Sequence, residues 1–215
     1  MRIDTNLRAQ AGPRLWIWSL AILLGGLGCQ STGSGHLAPV ETRDVNGFSI
    51  TEATSVPGGI RADFDEANRA IDAAHFERAV ELLEGVTLAA PEMAGGHINL
   101  AIVYQRTDDF EAAEASLLRA LEANPRHPVA HNELGIVYRR MGRFEEARKS
   151  YEVALSMHPD FHFARKNLAI LCDLFLSDPE CALEHYELYR AADPADEEAE
   201  IWIADLRNRF GIGDK

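Results

Sequence analysis

Beyond residue 60 the chain repeats itself every 34 residues, and that period limits its fold more than any other feature. Leu100, Leu134 and Leu168 stand 34 apart, as do Ala67, Ala101, Gly135 and Ala169. Phe76, Phe110 and Phe144 follow the same spacing, with Ala79, Ala113 and Ala147, and Pro91, Pro125 and Pro159. Several residue types recurring together at one interval imply a stack of like units. Each such unit leaves an apolar face that only its neighbour can cover.

The recurrent residues have physical roles. Small residues at Ala101 and Gly135 let a second helix cross closely, and Ala113 and Ala147 provide the matching small point on that helix. Tyr104, Tyr138, Phe110, Phe144 and Tyr151 fill the space between helices. The prolines close each unit, because proline cannot continue a helix. The third copy, "PVAHNELGIVYRRMGRFEEARKSYEVALSMHPD", combines a leucine-glycine pair, tyrosines, an aromatic, an alanine and a closing proline. It resembles a tetratricopeptide repeat, and the resemblance spans about 135 residues. The implied fold is all-α: a right-handed superhelix of about four stacked helix-turn-helix units over 60–93, 94–127, 128–161 and 162–195. A capping helix over 196–210 closes a repeat domain of residues 60–211.

Two copies depart from the pattern. In the fourth, Pro194 comes 35 residues after Pro159, with the extra residue in "LFLSDPECAL", where a turn absorbs it. The first has Glu66 where its neighbours have leucine. In "DEEAEIWIADLRNRFG", Trp202, Leu206 and Phe210 are four apart and are expected on the buried face of the cap, with Gly211 as the stop.

The N-terminus has a different character. Arg2, Arg8 and Arg14 precede an uncharged apolar run of 13 residues, Leu15 to Leu27, the order of a secretory signal. A membrane span needs roughly 20 apolar residues, so a permanent anchor helix is disfavoured. Gly28, Cys29 and the small polar residues that follow resemble the processing site of bacterial lipoproteins. The resemblance implies a signal peptide over 1–28, lipid on Cys29 and, with Gln30 rather than Asp, sorting to the outer membrane facing the periplasm. Simple secretion into the periplasm is the alternative. Residues 29–59, rich in Gly, Ser, Thr and Pro, are expected to form a flexible tether with a span near 30 Å. Within it, "GFSITEATSV" alternates enough for an edge strand or a docking segment.

Charge narrows the partners. The full chain carries −13; residues 1–28 hold three Arg and one Asp, so the remaining 187 residues carry −15. Such an acidic chain repels phosphate backbones, and nucleic acid is not an expected partner. A hydrophobic share of 47% suffices for a core. The sequence has no G-x-x-x-x-G-K-[ST], G-x-S-x-G, H-E-x-x-H or C-x-x-C. A binding module without cofactor is therefore expected rather than an enzyme. His127 with His131 and His158 with His162 straddle prolines at repeat boundaries, where turn and surface filling are expected and a metal site is not. Cys172 and Cys181 are placed either for a disulfide or as two buried thiols.

In the tetratricopeptide family the first helix of each pair lines a concave groove that holds peptides. On the matching positions this chain has Asn68, Ile102, Ile136 and Ile170 in one row, with Phe64, Ile98, Asn132 and Lys166 beside them. A further row holds Gln105, Arg106, Arg139, Arg140, Asp173 and Leu174. Asn68 and Asn99 match the family's clamp for a terminal carboxylate, but Val129 and Glu133 stand where its basic residues belong, so that clamp is not expected. The expected ligand is an extended or helical protein segment with apolar anchors and an acidic residue. The arginines could instead pair with neighbours such as Glu145 and Glu146, leaving only a solvated face. The resemblance extends to lipoproteins that help assemble secretins and type IV pili and to repeat proteins of TonB-type transport systems. It implies an adaptor for an envelope machine; the alternatives are an enzyme or metal protein using the groove, or a self-associating scaffold of undefined oligomeric state.

Overall fold

The computed structural model describes residues 40–43, 49–52 and 56–212; Cys29, the signal-like segment and most of the expected tether lie outside them. Among the described residues nine helices follow a two-stranded hairpin. The strands are β1 (Val40–Arg43) and β2 (Ser49–Glu52). The helices pair as α1 (Gly58–Asp72) with α2 (Phe76–Ala89), α3 (Ala94–Arg106) with α4 (Phe110–Ala123), α5 (Pro128–Arg140) with α6 (Phe144–Met157), and α7 (His162–Leu174) with α8 (Pro179–Ala192). The cap is α9 (Glu198–Phe210). Each second helix also packs on the first helix of the next pair, giving an all-α stack of helix-turn-helix units.

Local chemistry sets the helix ends. Asp109, His127 and Asp178 cap their helices by accepting from the backbone N–H groups of Ala112, Ala130 and Cys181. The turn inside each pair passes through one left-handed residue: Ala74 (φ 56°), Asp108 (φ 60°), Gly142 (φ 76°) and Ser177 (φ 53°). The first three are 34 apart and the fourth 35, so the extra residue of the last repeat lies in its turn, as the spacing implied. Only Gly142 occupies this region without a Cβ clash. The turn is nevertheless kept in the first three repeats by a backbone bond reaching five residues back, such as His75 N–H to Ala70 and Arg143 N–H to Tyr138, and in the longer fourth turn by Asp178 N–H reaching six back to Cys172.

The third pair shows a close helix crossing. A Cβ at Gly135 would come 2.5 Å from the Tyr151 ring, which is fully buried. Along the stack, Ala67, Ala101 and Ala169 occupy the same position on their helices and are all fully buried. The joints between repeats share another device. His97 Nε2 lies 3.1 Å from the Pro91 carbonyl, His131 Nε2 3.1 Å from the Pro125 carbonyl, and Arg165 donates through Nη2 to the Pro159 carbonyl at 2.8 Å.

Four sequence expectations are corrected. His127 fills no surface: it is fully buried, with Nδ1 accepting from the Ala130 N–H. The cap buries Ala199, Ile203 and Leu206, whereas Phe210 is exposed and lies 5.4 Å from the Arg209 guanidinium. The reason is geometric, because a spacing of four drifts around a helix of 3.6 residues per turn. Structure also begins ahead of residue 60: the hairpin lies inside the expected tether, and Val56 joins the core. Finally, the arginines do not pair with Glu145 or Glu146; Arg140 reaches Asp108 in the preceding turn, and Glu146 pairs with Arg143.

Gly135→Ala should lower stability by about 1–3 kcal/mol, because the added methyl meets a ring held in the core; a melting temperature equal to that of the parent would refute the crossing constraint. Burial also pushes the His97, His131 and His185 imidazoles below their usual pKa. The folded chain then binds fewer protons than the unfolded one, so their contribution to stability is intact above about pH 6.5 and is lost as pH falls below it. Carboxylates held low, such as Asp178 and Asp196, act only in more acidic solution. The melting temperature should fall between pH 7.5 and 5.5, and less steeply in a His97→Gln, His131→Gln double variant.

Candidate functional site

The concave side is assembled from α1, α3, α5 and α7, successive first helices that also meet one another directly. Polar bonds tie them edge to edge. Asn99 donates to Asn68 across α3 and α1, Gln105 donates to Glu133 at 2.9 Å across α3 and α5, and Asn167 donates to Asn132 at 3.0 Å across α7 and α5. Asn99, Asn132 and Glu133 are buried. In such surroundings amide and carboxylate groups fix the register between helices, because breaking a pair leaves an expensive unpaired partner.

The expected groove residues divide into distinct environments. Ile98 and Asn132 are fully buried, so this row belongs to the seam between helices more than to an open floor. Ile102 is 5% exposed, while Ile136 and Ile170 are half-buried against the same apolar cluster. Asn68 is half-buried and Arg106 exposed. Lys166 is engaged elsewhere: its Nζ donates to Asp196 at 2.9 Å and lies over the Trp202 and Tyr189 rings at 4.6 and 5.1 Å. The Tyr189 hydroxyl also donates to Asp196, and this bond, with Lys166, holds that carboxyl below the usual range. Lys166 thus fastens α7 to the cap.

The two arginines expected as a basic cluster behave differently. Arg140 pairs with Asp108 at 2.9 Å and lies 4.8 Å from the Phe110 ring centroid. Arg139 is half-buried, 6.0 Å from the Phe175 ring and beside the sealed Tyr151 hydroxyl, whose pKa burial pushes well up. Phe175 in turn packs on Phe144 at 4.9 Å. Leu174 and Phe175 are 65% and 40% exposed, so the ends of α5 and α7 carry an open apolar patch beside a guanidinium. Phe175 was not singled out from the sequence; its signal was the longer turn of the fourth repeat. Asp173, from the same row, is taken up by Arg209 at 2.5 Å.

The structure brings Cys172 and Cys181 together across the fourth pair, with sulfurs 2.05 Å apart and Cα atoms 5.9 Å apart. Asp178 sits beside them, capping α8 and pairing with Arg148 at 2.6 Å, which with the cap lowers its pKa. These three residues are the single His/Cys/Asp/Glu group compact enough for a metal among the described residues. Sulfurs bonded to one another are not thiolate ligands. Among the described residues no helix is long and apolar enough to cross a membrane.

Comparison with known proteins agrees with this architecture. Two sequence profiles of the tetratricopeptide repeat match residues 92–160 and 132–197. No curated protein matches the chain. Among solved structures, pilF of Pseudomonas aeruginosa is 22% identical, with a TM-score of 0.65 over 70% of this chain and 68% of that one. TTC0263, a thermophilic repeat protein of Thermus thermophilus, is 24% identical, with a TM-score of 0.61 over 70% and 82%. The first repeat domain of Spaghetti (RPAP3), bound to the HSP90 peptide SRMEEVD, is 22% identical, with a TM-score of 0.51 over 53% and 90%. These likenesses concern the fold, and the recurrent residues, paired helices and profile matches together identify the chain as a tetratricopeptide repeat protein.

Proposed function

We propose that the chain is an adaptor that holds a segment of a protein partner on its concave side, and that it is tethered to a bacterial outer membrane through lipid on Cys29. One observation carries the binding part: the apolar patch of Ile136, Ile170, Leu174 and Phe175 beside Arg139 is left open where the equivalent Ile102 is covered. Apolar anchors next to a guanidinium suit a segment with a branched side chain and an acidic residue. The fold supports the same reading, since one structural neighbour is recorded with a bound peptide. Support for the anchor is confined to the sequence, where the arginines, the short apolar run, Gly28 and Cys29 follow the lipoprotein order. The partner would then be a component of an envelope machine, such as a pilus, secretion or TonB-type transport system. Among the described residues no cluster favours catalysis over binding.

A photo-crosslinking residue at Ile136, introduced into the full chain in a bacterial host of its own kind, should yield a discrete adduct. In an Arg139→Glu, Leu174→Glu variant that keeps its melting temperature, the yield should fall at least tenfold; an unchanged adduct would move the site away from this patch. Cys29→Ser should release the chain from the membrane fraction and abolish incorporation of labelled fatty acid. Retention of both would refute the anchor while leaving the groove untouched.

A further inference from the structure

The hairpin ahead of the repeats has a sided construction. In its antiparallel register Thr42 faces Ile50 and Glu41 faces Thr51. Cross-strand partners share a face of the ribbon. Thr42 is fully buried and Ile50 half-buried, whereas Glu41 and Thr51 are exposed, so one face is turned inward. The inward face meets α3: β1 packs along that helix, and Ile50 joins the apolar cluster that contains Ile98 and Ile102.

The repeat supplies an internal control. Nine residues of α3 are buried, and its two flanks are used by different clusters: Leu100 and Val103 by the first repeat, Ile98, Ala101 and Ile102 by the following ones. Ile102 remains covered even so, while Ile136 and Ile170 at the same position in the next two repeats stay half-open. A two-stranded ribbon is marginal alone in water, so this one draws its order from the helix beneath it.

We propose that the paired strands Val40–Arg43 and Ser49–Glu52 are a built-in occupant of the groove, a β-ribbon that covers the α3 portion of the concave side. A partner using that portion must displace it, with an extended segment that lays a β-branched apolar side chain where Ile50 now sits. Displacement by a partner rests on the adaptor role proposed above; the docking of the ribbon does not. The α5 and α7 portion remains open for a first encounter, and the ribbon sets a threshold for deeper engagement.

The test uses the full chain without any partner, so its failure is separable from failure of the adaptor role. Hydrogen exchange is measured over residues 40–52 in the parent, in Ile50→Asp and in Thr51→Asp, with Ile50→Ser as a milder second variant. A fluorescent peptide of residues 38–54 is the probe for the vacated groove. The ribbon should exchange slowly in the parent and in Thr51→Asp, and at least tenfold faster in Ile50→Asp. The peptide should bind Ile50→Asp at least tenfold more tightly than the parent, whose own ribbon competes at the high local concentration of a linked segment. Coil-like exchange in the parent, a peptide bound equally by both chains, or one bound by neither would each overturn the proposal.

Discussion

Everything in this molecule depends on how closely two helices of a pair can approach. In the third pair one helix offers a small residue at the crossing and its partner offers a large one, so the pair nests rather than props apart. Gly135 against Tyr151 leaves no room for a methyl group. Once the crossing is fixed, each pair has a defined slope, and the next pair can only stack in one way. The joint is then fastened by side chains that reach the carbonyls of Pro91, Pro125 and Pro159, which no backbone donor within the helix can use.

The concave side is consequently not a free surface with residues added to it. Much of it is seam. Asn132 and Glu133 are buried because α5 lies between two other first helices, and their polar atoms are spent on Asn167 and Gln105. Charged residues follow the same logic: Arg140, Lys166 and Asp173 have intramolecular partners that hold turns and the cap in place. What remains for a ligand is a smaller set, centred on the ends of α5 and α7, where the turn of the fourth repeat is longer and Phe175 swings against Phe144.

Periodicity made the repeats legible, because a stack multiplies each packing requirement by the number of its units. The four helix pairs, the small crossing residues and the displaced turn of the last repeat all follow from spacing. Side chains that act once are not legible in that way. Lys166 meets Asp196, Arg140 meets Asp108 and Arg209 meets Asp173 across 30, 32 and 36 residues, and no period marks these pairs. The hairpin falls in a stretch whose composition suggests a tether; its second strand lies in "GFSITEATSV", whose alternation was the signal. His127 was hidden for a different reason. Histidine before proline reads as surface, and only the stacked neighbours bury it.

The fastening of the joints also gives the stack a direction. At the first two joints the donor is an imidazole, and at the third it is the Arg165 guanidinium, which donates twice, through Nε and Nη2. The repeat that follows the third joint is also where the sulfurs of Cys172 and Cys181 bridge their helix pair and where Lys166 draws in the cap. In an array whose stability is a sum over neighbours, loss begins at the weakest joint and spreads. Loss therefore starts on the N-terminal side, and the fourth repeat with its cap is the part that stays folded longest.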